Sequence, residues 1–144
     1  MGARENKETI RRIYEAMERG DSSVFGASVH PDYVWRVTGQ ASWSRRCEGR
    51  DAVLRDLVRP LFARFAGAYR SKLLSVIAEG DVVVAEVKGD ATTKEGKRYD
   101  NDYCLVFRFR GDKIAELVEY ADTDLEERVL GPYTEAVAAS EKRV

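Results

Sequence analysis

Between Tyr69 and Ala121 the chain never settles into a helical period. Apolar residues there alternate or run in short β-branched blocks. The blocks are separated by Glu79-Gly80-Asp81, Lys94-Glu95-Gly96-Lys97 and Arg110-Gly111-Asp112-Lys113. Each break holds a glycine where a hairpin needs positive φ, so the segment reads as four long antiparallel strands. Arg110-Gly111-Asp112 is spelled like an adhesion tripeptide, but its place between two strands makes it a turn.

The helices come first. Ile10, Ile13, Tyr14 and Met17 fall at helical spacing, and Gly20 is placed to end that helix in a left-handed cap. Asp21-Ser22-Ser23 supplies N-cap residues for a short helix over Val24 to Ala27. Tyr33 to Val37 reads as a strand, and Thr38 to Gly49 as an irregular loop over a pocket mouth, with Trp35 or Trp43 near the entrance. From Asp51 a longer helix carries Val53, Leu54, Leu57, Val58, Leu61, Phe62 and Phe65, with Pro60 predicting a kink or break near Arg59. Helices ahead of a run of strands specify an α+β domain rather than βαβ alternation. Residues 1–131 form one domain on this reading, with 132–144 as a loosely ordered tail.

Composition closes off several functions. A length of 144 residues suits one domain, and 44% hydrophobic residues suffice for a core. With 24 Lys and Arg against 25 Asp and Glu, the formal net charge is −1 and no basic block is present, so nucleic-acid binding is not expected. No window is apolar enough to span a membrane, and the charged first residues lack the apolar run of a signal peptide. Cys47 and Cys104 are too few and too far apart for a disulfide framework or a zinc site, and His30 is alone. The expectation is a cytoplasmic protein without metal or cofactor.

Several segments together resemble a known group. Tyr99 to Leu125 holds an aromatic strand (Phe107, Phe109), a turn with Gly111, a Lys113-Ile114 strand start and a Glu119-Tyr120-Ala121-Asp122 end. His30 to Trp43 and Gly49-Arg50-Asp51-Ala52-Val53 also match in order and spacing. The chain thereby resembles SnoaL-like and ketosteroid isomerase-like proteins of the nuclear transport factor 2-like superfamily. The resemblance implies a strongly curved antiparallel sheet forming a cone around the N-terminal helices, a cystatin-like α+β barrel enclosing one small-molecule pocket. Because this fold serves isomerases, cyclases, hydrolases and non-enzymatic binders, function has to be argued from side chains.

Matched to ketosteroid isomerases, the carboxylate base falls on Val37, the acidic oxyanion donor on Leu105, and the donor tyrosine nearest Ile13, next to Tyr14. That mechanism does not carry over. Limonene-epoxide hydrolase is similar across the last hairpin. Its water-activating Asp matches Glu119, its Arg-Asp pair matches Glu86 and Lys88, and its water-holding Tyr and Asn match Trp35 and Val37.

Read from the residues alone, strand alternation puts Glu86 and Lys88 on one face with Val82 and Val84, and Tyr99, Asn101, Tyr103, Leu105 and Phe107 on another common face. If these faces are concave, Glu119, Lys88 and Glu86 are the candidate catalytic set. Trp35, Val37, Asn101, Tyr103, Leu105, Tyr14 and Trp43 are then the candidate substrate contacts. The alternative is a structural charge network of Glu86, Lys88 and Glu119, with Asn101 satisfying backbone groups across the sheet. The leading expectation is a cofactor-independent acid–base enzyme on a small, largely apolar molecule; the others are a non-catalytic binding or sensor domain and a protein-interaction domain. Cys104, Val106, Ile114, Val118 and Tyr120 compose an apolar outward set that predicts a homodimer through the convex sheet face.

Overall fold

The computed structural model describes residues 2–142. Helix α1 (Ala3–Met17) buries Ile10, Ile13 and Ala16. It ends as the spacing requires. Gly20 takes φ 78° and its N–H reaches the Met17 carbonyl at 3.0 Å. A side chain there would also meet Ala68 Cβ at 2.8 Å, so both conformation and space favour glycine. Helix α2 (Ser23–Ser28) follows at once, with Asp21 Oδ1 accepting from the Ser23 N–H at 2.9 Å.

The next helical rod is continuous but not uniform: α3 (Arg50–Val53), a π segment (Leu54–Val58) and α4 (Arg59–Phe62). The expected irregularity therefore arises one turn before Pro60. Pro60 has no N–H for the Asp56 carbonyl four residues back. That carbonyl instead accepts from the Tyr133 hydroxyl at 2.5 Å. Tyr133 opens α6 (Tyr133–Glu141), so the segment expected as a loose tail is a helix, with Ala136 fully buried.

Six strands form one sheet in the order β2-β1-β6-β5-β4-β3. They are β1 (Val29–Val37), β2 (Arg45–Glu48), β3 (Arg70–Glu79), β4 (Val82–Asp90), β5 (Asp102–Arg110) and β6 (Lys113–Ala121). The last four make the antiparallel meander that the glycine turns announce. Two features depart from expectation. β2 lies inside the stretch read as loop, and β1 pairs with β6 in parallel, so the sheet is mixed. β1 also starts earlier than Tyr33, and its ladder to β6 is interrupted between Val29 and Val34, around Pro31, which has no N–H to give.

Register decides which side chains face the helices. On β4, Val83, Ala85 and Val87 are buried while Glu86 is exposed. On β5 the inward set is Tyr103, Leu105, Phe107 and Phe109. A bulge between Arg108 and Phe109 shifts β6 by one residue and brings Ile114 opposite Phe109. Ile114 is thus fully buried in the core and is not part of the outward apolar set. After the bulge, Leu117 and Glu119 face inward. Among the described residues no helix is long and apolar enough to cross a membrane.

Candidate functional site

The helices do not fill the concave side of the sheet. A cavity of about 360 Å³ remains. β1 supplies Trp35 and Val37, β5 supplies Tyr103 and Leu105, β6 supplies Leu117 and Glu119, and α1 supplies Tyr14. The walls are otherwise mostly hydrocarbon and aromatic.

Glu119 stands at the centre of this arrangement. Its register partners are Val37 on β1 and Leu105 on β5, so the flanking positions offer no polar group to its carboxylate. Burial pushes its pKa up to about 7. The indole N–H of Trp35 opposes that rise, although it falls short of a formed hydrogen bond. Near neutral pH this carboxyl is therefore divided between acid and base forms.

Besides Tyr33, four phenols share the cavity with it: Tyr14, Tyr69, Tyr99 and Tyr103. Burial foremost, with the Glu119 charge among the further causes, raises each of them above the ordinary tyrosine value. They are consequently protonated donors across the physiological range. Gly89 makes room for two of them. A Cβ at this strand position would meet the Tyr69 hydroxyl at 3.0 Å and the Tyr103 ring at 3.3 Å.

Asn101 is buried but does not line the cavity. Its Nδ2 donates to the Tyr99 hydroxyl at 3.0 Å and the Asp122 carbonyl at 3.1 Å. Its Oδ1 accepts from the N–H groups of Asp102 at 2.8 Å and Asp122 at 3.1 Å. With its amide engaged in this way, Asn101 acts as a clamp between β5 and the end of β6 and as a support for Tyr99.

Glu86 and Lys88 are absent from the site. Both lie on the outer face of β4, where Glu86 accepts from Ser75 Oγ at 2.5 Å and Lys88 pairs with Asp102 at 2.9 Å. Their parity is that of Val82 and Val84, as expected, but this face is convex. Lys88 is no charge partner for Glu119. Trp43 is 2% exposed, donates to the Gly131 carbonyl at 2.8 Å and packs edge-on to Tyr133. It is an interior wall rather than a doorpost. The exposed lining residues are Ser22 and Gly26 beside α2, and Arg50, Leu54 and Phe62 on the rod. The mouth thus opens between α2 and the π segment, not beneath the 38–48 loop. Arg50 braces that rim by donating to the carbonyls of Gly26 at 3.2 Å and Val29 at 3.1 Å.

Among the lining residues that escaped the sequence reading, one is a second carboxyl. Glu126, on α5 (Thr123–Leu130), is only 2% exposed, and neither carboxyl oxygen has a hydrogen-bond partner among the described residues. Burial first, then the charges of Glu119 and Glu127, push its pKa up to about 8. The available signal was its spacing: Glu126 precedes Leu130 by four residues, so it shares the helix face that meets the core.

Solved structures carry the same architecture. Bal32a, from a soil-derived mobile gene cassette, is 25% identical with a TM-score of 0.76, over 89% of this chain and 98% of its own. A protein described as a SnoaL-like polyketide cyclase from Jannaschia sp. CCS1 is 16% identical with a TM-score of 0.72, over 90% and 94% of the two chains. TerC, crystallised with polyporic acid, is 19% identical with a TM-score of 0.73, over 88% and 98%. No curated protein sequence matches the chain. The model of the SnoaL-like domain matches residues 10–117, which hold the second half of α1, the rod, the first five strands and the start of β6, and on that match the chain belongs to the SnoaL-like domain family.

Proposed function

We propose that this protein is a cofactor-independent acid–base enzyme of isomerase, cyclase or hydrolase type, acting on a small, largely apolar molecule with Glu119 as general base. One observation carries the reading: an ionisable carboxyl poised near neutrality faces an apolar cavity and has phenol donors around it. A base whose pKa lies near the working pH combines a useful ionised fraction with real basicity. The cavity volume suits a molecule of two or three rings. TerC was co-crystallised with polyporic acid, and a neighbour described as a polyketide cyclase keeps the same architecture, which is consistent with ring chemistry here.

The test is a pH–rate profile on enolisable polycyclic ketones and related ring compounds. The ionised form of Glu119 is the active one, so kcat/KM should rise through about pH 7. Tight binding of such compounds without turnover at any pH would favour a binding or sensor domain instead.

We also propose that a second copy of the chain packs on the outer sheet face. Ile77, Val84 and Val106 stand in register across three strands, with Ile77 67% exposed and Tyr120 47% exposed nearby; Val118 continues the row on β6 but is buried, so it is not part of the exposed set. An apolar row of this length is suited to an interface. Light scattering at micromolar concentration should return twice the chain mass, and Ile77→Lys with Val106→Glu should return the monomer. A wild-type monomer would refute the pairing. With Cys47 and Cys104 both free, the reducing cytoplasm is the compartment that fits.

A further inference from the structure

We infer that Glu126 is the ligand-selecting group of the cavity: its carboxylic acid donates a hydrogen bond to an acceptor oxygen, such as a carbonyl, on an otherwise apolar and uncharged ligand. The inference rests on the cavity being the ligand site, and it adds what the ligand must carry.

Three observations lead to it. Glu126 is 2% exposed, yet among the described residues neither of its oxygens has a partner. Buried polar groups are nearly always paired, so one left open inside a cavity wall is reserved for something the cavity holds. Glu126 and Glu119 line the same space, and among the described residues the only cationic side chain in that lining is Arg50. Arg50 is exposed at the rim and spends its guanidinium on the carbonyls of Gly26 and Val29. An anionic ligand therefore finds no counter-charge beside the two carboxyls. The third observation concerns which form of Glu126 the fold tolerates. Among the described residues no cation's field reaches it, and the ionisable groups whose fields do are Glu119 on β6, Glu127 on its own helix and Tyr99 ahead of β5. None of these stabilises an ionised Glu126. The neutral acid remains, and a neutral acid is a donor.

The two carboxyls then divide the work. Glu126 holds the oxygen end of the ligand, and Glu119 faces what lies next to it. If Glu119 removes a proton from a carbon adjacent to that carbonyl, the C–H electron pair becomes the C=C bond and the carbonyl π pair moves to oxygen. The growing charge on that oxygen strengthens the bond from Glu126, whose proton stays in place. Returning the proton from Glu119 to that carbon restores the carbonyl, so the enolisation cycle balances with no co-reactant.

Three matched probes test the inference by Trp fluorescence, since Trp35 and Trp43 both line the cavity: 2-acetylnaphthalene, 2-ethylnaphthalene and 1-(2-naphthyl)ethylamine. At pH 6 the wild-type protein should bind the ketone roughly five- to tenfold more tightly than the hydrocarbon, the span of one net hydrogen bond. The ketone's advantage should fade as pH rises through about 8, because the donor proton is lost. Glu126→Leu should abolish the advantage. Glu126→Gln, which keeps an N–H donor, should retain it and remove its pH dependence. Equal affinity for ketone and hydrocarbon in the wild type would overturn the inference and leave the cavity as a binding site. Preference for the amine, increasing with pH, would overturn it in favour of a cation site. Binding of none of the three would overturn the cavity reading and this inference together.

Discussion

Urea unfolding of the wild-type protein is expected to give a stability that is greatest near pH 5 and lower by several kcal/mol at pH 8. The cause is the pair of buried carboxyls. Both have an ordinary value of 4.5, raised in the folded protein to about 7 for Glu119 and about 8 for Glu126. Between pH 4.5 and those values the folded state keeps protons that the unfolded chain has released. Stability must therefore fall as pH rises, by about 1.4 kcal/mol per pH unit for each group fully inside its window. This is opposite in sign to the usual salt-bridged carboxylate, whose pKa is depressed and whose contribution is lost in acid. Asp56, held below its ordinary value chiefly by its hydrogen bond to Arg55, belongs to that second class and sets part of the acid limb. Glu126→Gln should remove roughly half of the decline, because an amide of the same shape does not ionise. A flat profile from pH 5 to pH 8 would mean that both carboxyls are solvated in solution and that the cavity is wetter than its walls suggest.

The parts of the molecule that were legible in the sequence are those where one local rule acts alone. Ile10, Ile13 and Tyr14 mark the buried stripe of α1 because nothing competes with the 3.6-residue period there. The meander was legible because its glycine turns take positive φ, as at Gly80, Gly96 and Gly111. β2 was not. Its four residues, Arg45 to Glu48, form an edge strand paired only to β1, and their polarity is that of a loop. β4 misled for a different reason. Val82, Val83, Val84 and Ala85 are apolar on both faces, so alternation alone cannot say which side carries Glu86 and Lys88 into the core. A single bulge reversed Ile114.

The cavity lining was legible through the resemblance at Glu119, Trp35, Val37 and Leu105, and through strand parity at Tyr103. Glu126 was hidden because a charged residue on a short helix ordinarily faces solvent. Its burial depends on how α5 docks on the rest of the fold, which no local pattern encodes. The location of the mouth is likewise tertiary, set by how far α2 stands from the π segment.

Once a turned-over substrate is in hand, Glu119→Gln is expected to lower kcat by a hundredfold to ten-thousandfold, with ligand affinity changed little. Glutamine keeps the length and shape of the side chain and can still meet the Trp35 indole, so the walls of the cavity survive. What it cannot do is accept a proton with useful basicity. Glu119→Asp should recover part of the rate, since the carboxylate returns but sits one methylene short of the reacting atom. Lys88→Met supplies the contrast. Lys88 is 44% exposed on the convex face and paired with Asp102, so its removal should leave both the rate and the position of the pH–rate curve unchanged. Were Lys88→Met to shift that curve, a cation would have to reach Glu119 through the sheet, which the register of β4 forbids. Full activity in Glu119→Gln would instead remove the base from the mechanism. The raised pKa of that carboxyl would then be a cost of the fold and not a tool of the reaction.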